Sequence, residues 1–278
     1  MRNIALQIVY HGTCFHGYQN QPGQRTVQAC VEEALEILLQ LPAPLLCAGR
    51  TDAGVHAYAQ VVSFQTEHRM PVDRFVPALR SLLPEDLAVV QAWELPPEFN
   101  PRASALGRHY RYVLQPGGAF NPLIRQQVWH CPYTVDRTLL QQSWKSLEGT
   151  HDFRAFCKSG SYRQHFNSTI YWTRCWEHGP LLVLDIMGRS FLYNMVRTLV
   201  GTMVDIARGR LAPETLAQAL SSGERRLVGL TAPPQGLYLF NVVYPPEYAI
   251  QLIQPTIHSW PVPVTAPAAL APVLAGPA

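Results

Sequence analysis

Thr26-Val27-Gln28-Ala29-Cys30-Val31-Glu32-Glu33-Ala34-Leu35-Glu36-Ile37-Leu38-Leu39 sets Val27, Cys30, Val31, Ala34, Leu35, Leu38 and Leu39 at 3.6-residue spacing, which predicts a helix with one apolar face. Thr26 is placed to cap it, and Pro42 and Pro44 end it. Before this helix, Ile4, Leu6, Ile8 and Tyr10 alternate as in a strand. After it come a short strand around Leu45 to Cys47 and a strand through Val61, Val62 and Phe64. A helix near Asp73 to Leu82, stopped by Pro84, and a strand near Leu87 to Trp93 complete the order β-α-β-β-α-β of a ferredoxin-like unit.

A second set starts at Arg108, with a strand through Tyr112 and Leu114 and a helix around Thr138 to Leu147. Strands near Ile170 to Trp176 and Leu181 to Met187 follow, then helices near Phe191 to Ala207 and Glu214 to Leu220, and a last strand near Leu237 to Val243. The expected division is an N-terminal half over 1–105, a C-terminal half over 106–246 and a Pro/Ala-rich tail over 247–278, expected to be disordered. Two α+β halves in tandem can share one long sheet with a cleft where they meet.

Bulk composition excludes several classes. With 47% hydrophobic and 15% charged residues over 278 positions, the chain reads as globular. Its apolar runs fall far short of the ~20 residues a membrane helix needs, and its start lacks a secretory apolar block, so a cytoplasmic location is expected. Six scattered cysteines without a C-x-x-C pair read as reduced, mostly buried thiols rather than a zinc site. A net charge of +3 announces no nucleic-acid partner, although Lys145 and Lys158 are the only lysines among the 22 basic residues. Arginine suits phosphate, yet a G+C-rich genome produces the same bias.

Three segments carry candidate chemistry. Gly49-Arg50-Thr51-Asp52-Ala53-Gly54-Val55-His56 interrupts two strands with a short loop able to project a carboxylate, although an aspartate in a glycine turn more often bonds its own backbone. Phe191-Leu192-Tyr193-Asn194-Met195-Val196-Arg197 opens a helix that is apolar nearly all round yet holds Arg197. Such a buried cation needs an anionic partner, for which Asp52 is a candidate. Arg108-His109-Tyr110-Arg111-Tyr112 alternates basic and aromatic residues, so Arg108, Tyr110 and Tyr112 share a strand face fit for phosphate contacts and base stacking; alternatively the tyrosines lie in a core with the arginines in solvent.

With these three segments in the order Gly49–His56, Arg108–Tyr112 and Phe191–Arg197 along the chain, and with Tyr10-His11-Gly12 through Gly17-Tyr18-Gln19, Phe99-Asn100-Pro101-Arg102-Ala103-Ser104-Ala105, Gly149-Thr150-His151-Asp152-Phe153 and Gly236-Leu237-Tyr238-Leu239 alongside, the chain resembles the tRNA pseudouridine synthase A family from about Ile4 to Tyr244. Tyr18 stands where many relatives have tryptophan, and His109 where arginine is frequent. The resemblance implies an α+β pseudouridine synthase fold: two ferredoxin-like, RRM-like halves sharing a long, mixed but mainly antiparallel sheet with a central RNA-binding cleft. It implies an isomerase that turns uridine into pseudouridine at positions 38 to 40 of the tRNA anticodon arm, working as a homodimer without metal or cofactor. Asp52 would be the nucleophile or base, Arg197 its ion-pair partner, and Tyr110 the residue stacking on the target base and assisting proton removal. Arg50, Arg102, Arg108, Arg163 and Leu237 would contact the substrate RNA.

Two other classes compete. A non-catalytic RNA-binding module of ferredoxin-like fold would use sheet aromatics, but its K/R-G-F/Y-G/A-F-V-x-F/Y pattern is absent. A hydrolase using Asp52 would be expected to show a phosphate-cradling glycine loop or carboxylates spaced for Mg²⁺, and neither is present. His56 lies close to Asp52, where a histidine suggests acid-base work, yet a loop histidine more often orients backbone or packs.

Overall fold

The helix read from residues 27–39 is α1 (Val27–Leu39), capped by Thr26, whose hydroxyl accepts the Ala29 amide at 3.3 Å. Its buried residues are Val27, Val31, Ala34, Leu35 and Leu39. The structure is a computed structural model and describes residues 1–158 and 165–253. Arg163 and most of the Pro/Ala-rich tail lie outside the described residues. The chain forms two compact units, one of residues 1–106 with the described residues from Tyr238 onward, the other of residues 107–237.

In the first unit, β1 (Arg2–Tyr10), β2 (Leu46–Cys47), β3 (His56–Thr66) and β4 (Leu87–Leu95) alternate with α1 and α2 (Phe75–Arg80). β1 pairs antiparallel with both β3 and β4, and β2 antiparallel with β3, which is the 4-1-3-2 order of a ferredoxin-like sheet. α2 is shorter than the expected 73–82 helix; a 3-10 turn over Val72–Arg74 takes its first residues, and Pro77 sits in its first turn, where a missing N–H costs little. β2 covers only the Val62–Ser63 end of β3. β10 (Leu237–Val243) pairs parallel with the other end, Tyr238 opposite His56 and Leu239 opposite Ala57. The final strand thus returns to the first unit.

The second unit is built on β5 (Gly107–Pro116), β6 (Trp129–Cys131), β7 (Gly149–Asp152), β8 (Asn167–His178) and β9 (Leu181–Gly188). β5 pairs antiparallel with β9, β9 with β8 and β8 with β7, while β6 runs parallel to β5. With α3 (Arg137–Lys145), α4 (Met195–Ala207) and α5 (Thr215–Ser222), the chain is α+β with mainly antiparallel strands, as expected. α4 begins at Met195 rather than near Phe191, because Asn194 adopts a left-handed conformation (φ 62°) that breaks the run. All six cysteines are free, but only Cys131 and Cys157 are buried and Cys14 is exposed, so the expectation of mostly buried thiols is corrected. Among the described residues no helix is long and apolar enough to cross a membrane.

Candidate active site

The Asp52 loop joins β2 to β3 and is pinned along its length. At its start, Gln60, fully buried on β3, accepts the Gly49 amide at 3.3 Å through Oε1 and donates to the Gly49 carbonyl at 2.5 Å. The Tyr10 hydroxyl lies 2.7 Å from Thr51 Oγ1, and the Tyr18 amide donates to the Thr51 carbonyl at 3.0 Å. The Gly54 amide donates to the Phe15 carbonyl at 3.3 Å, and the Val55 amide closes the turn on the Asp52 carbonyl at 3.1 Å. Gly54 supplies the positive φ (79°) that this turn requires.

Gly12 and Gly17 explain why the Tyr10–Tyr18 segment is written as it is. A Cβ on Gly12 would stand 2.0 Å from the Val55 carbonyl oxygen, and Gly17, at φ 89°, would bring one within 3.0 Å of the Thr51 carbonyl oxygen. The two backbones therefore touch on either side of Asp52. Asp52 itself is half-buried between buried Thr51 and exposed Ala53. Arg50 and Arg102 are exposed, and both act electrostatically on Cys47, whose thiol burial pushes up while Tyr18 and the two arginines pull it down. Buried Leu237 opens β10.

In the second unit, Tyr110 is 8% exposed, with its ring edge-on to Phe191 at 5.0 Å. Tyr112 is fully buried and donates its hydroxyl to the Pro233 carbonyl at 2.8 Å, so it belongs to the core and not to a stacking surface. Arg108 is 8% exposed and donates to the Arg189 carbonyl at 3.0 Å. The half-buried Arg197 donates through Nε to the Ala232 carbonyl at 2.8 Å and through Nη1 to Asn194 Oδ1 at 3.2 Å. Residues 229–233 run beside α4: Thr202 Oγ1 accepts the Gly229 amide at 3.0 Å, and the Ala232 amide donates to the Arg197 carbonyl at 3.0 Å. Tyr112 and Arg197 thus rest on consecutive carbonyls, which ties β5 to α4.

The opposite face of β5 holds a buried charge cluster. Asp185 on β9 receives His109 Nε2 at 2.9 Å, Arg111 Nε at 2.7 Å and Trp176 Nε1 at 2.9 Å. Burial pushes the Asp185 carboxyl up, but the hydrogen bonds and charges of His109 and Arg111 prevail and hold it well below the usual carboxylate range. Arg111 is 2% exposed, so neither a solvent role nor an RNA role fits it, and His109, 4% exposed, belongs to the same internal network. Sequence reasoning missed Gln60 and residues 229–233. For Gln60 the signal was a glutamine at an inward position of an apolar strand; for 229–233 there was none.

Comparison with known proteins places the chain in a family. The model of the family described as tRNA pseudouridine synthase matches residues 7–102 and 144–245. Among similar proteins, the tRNA pseudouridine synthase A of Syntrophomonas wolfei is 40% identical over 89% of this chain and 99% of its own length. That of Geobacter sp. strain M21 is 42% identical over 88% of this chain and 100% of its own. A solved H/ACA RNP bound to a substrate RNA containing 2′-deoxyuridine aligns over 73% of this chain, which spans 53% of that one, at 11% identity and a TM-score of 0.31, a likeness that carries no argument. The family match and the identities do: the chain belongs to the tRNA pseudouridine synthase family.

Proposed function

We propose that the chain isomerises uridine to pseudouridine in the anticodon arm of tRNA, at positions 38 to 40, with Asp52 as catalytic carboxylate. The observation that supports this most is the Asp52 loop, a half-buried carboxylate on a backbone fixed at Gly49, Thr51, Gly54 and Val55. Rigid support of that kind is what a reacting group needs, since a displacement of ~1 Å costs on the order of a hundredfold in rate.

In the reaction the C1′–N1 bond breaks, the uracil turns, and a C1′–C5 bond forms. The carbon 5 proton leaves to solvent and N1 takes one up, so the RNA keeps its mass. Asp52 starts the cleavage as nucleophile or base, and the Arg197 guanidinium keeps that carboxylate ionised in a dry site. Tyr110 stacks on the target base and assists loss of the carbon 5 proton. Extruding the base costs a few kcal/mol, recovered from stacking and from phosphate contacts at Arg50, Arg102, Arg108 and Arg163, with Leu237 packing at the base. Residues 1–105 bring the carboxylate and residues 106–246 complete the site; the enzyme works in the cytoplasm as a homodimer, without cofactor.

Tritium release from tRNA transcripts labelled at uridine carbon 5 tests the reading. Wild type is expected to release label, and Arg197→Lys, which loses the Nε–Ala232 bond, to lose at least about tenfold in kcat. Binding of tRNA without any release by wild type would favour the RNA-binding module instead.

A further inference from the structure

His56 closes the Asp52 loop, and the chemistry above does not use it. Its ring is 2% exposed, stacked on Tyr238 at 4.8 Å with 23° between planes, and tilted against His11 at 4.6 Å. With the ring held from two sides, Nδ1 is aimed at Gly12, whose amide donates to it at 3.0 Å. An imidazole nitrogen that accepts must carry a lone pair, so His56 is neutral with its proton on Nε2. Gly12 is in turn the residue whose backbone lies against Gly54 and Val55, and Val55 is bonded back to Asp52.

We infer that His56 is a positioning residue for Asp52: as a neutral acceptor it fastens the Gly12 amide, and so holds the Tyr10–Tyr18 segment against the Asp52 loop. The inference rests on Asp52 being the catalytic carboxylate. Without the acceptor, a buried amide loses its bond and the segment gains freedom to move away from the loop, disturbing where the carboxylate stands. The ring's aromatic contacts are separable from this role. Phenylalanine keeps a ring but cannot accept, whereas asparagine places Oδ1 at the position of Nδ1 and accepts without a ring.

The test compares wild type, His56→Phe and His56→Asn on an unmodified tRNA transcript, with histidine ring ¹⁵N spectra and Gly12 amide exchange recorded on the same proteins. His56→Phe is expected to lower kcat on the order of tenfold to a hundredfold with KM unchanged. His56→Asn is expected to restore most of that loss. The ring spectrum should show His56 with a bare Nδ1, and Gly12 exchange should be slow in wild type and His56→Asn and fast in His56→Phe. Wild-type kcat in His56→Phe, equal loss in both variants, or a proton on Nδ1 would each overturn the inference. If His56→Phe does not fold, His56→Asn and the ring spectrum decide it. If wild type makes no pseudouridine, the reading of Asp52 falls, while the ring spectrum and amide exchange still decide whether the clamp exists.

Discussion

At Gly12 a single methyl group is excluded, because it would stand 2.0 Å from the Val55 carbonyl oxygen, a backbone atom that cannot swing aside. Gly12→Ala must therefore move the loop that carries Asp52. We expect kcat to fall on the order of tenfold or more while tRNA affinity holds; steady-state kinetics beside a filter-binding titration checks this, and loss of affinity alone would contradict it. As a candidate, Asp52 stands out in the sequence only through its motif, since by residue type it is an ordinary turn aspartate. The Tyr10, Gly12, Gly17 and Tyr18 positions were legible as a pattern, but their purpose as a brace was not, because it depends on contacts about forty residues away. For Arg197 the sequence asked for an anionic partner, with Asp52 as the candidate, because a cation on an apolar helix is costly to leave unpaired. It could not name the Ala232 carbonyl, which lies 35 residues on.

Among the elements, long periodic ones were readable and short ones were not. α1, β5, β8, β9 and β10 lie where alternation or helical spacing puts them, whereas β6 and β7, of three and four residues, are too short to show a period. β5 misled in one respect: Arg111 and His109 read as polar positions, yet both are buried against Asp185. Its carboxylate sits below its ordinary value in the folded chain, so its stabilising contribution is present above ~4 and is lost as pH falls further, toward the folded value. Asp185→Asn leaves the buried Arg111 guanidinium short of its anionic partner and should cost about 3–5 kcal/mol at neutral pH. In thermal melts the gap between this variant and wild type should narrow as pH drops below ~4; a gap that widens there would contradict the assignment. α4 makes a second such demand. A Cβ on Gly201 would lie 1.8 Å from the Leu230 carbonyl oxygen, so Gly201→Ala should cost about 1–3 kcal/mol, read as a lower Tm.

For the whole molecule, the order of elements gave the α+β class, and the motifs gave the family. The return of β10 to the first unit was not legible, because pairing partners of a final strand are set by which sheet edge is free and not by its own alternation. The family match ends at residue 245, and the Gln7 side chain bonds the Ile253 amide and carbonyl at 2.9 and 2.7 Å. A chain ending at Ile253 should therefore keep wild-type kcat and Tm; a large loss of tRNA affinity would assign RNA contacts to residues 254–278. Whether Asp52 performs uridine isomerisation is read from carbodiimide-dependent primer extension on an unmodified tRNA transcript treated with wild type or Asp52→Asn. New stops within positions 38 to 40 with wild type, and none with Asp52→Asn although it still binds the transcript, is the result expected. Equal stops with both proteins would contradict the account.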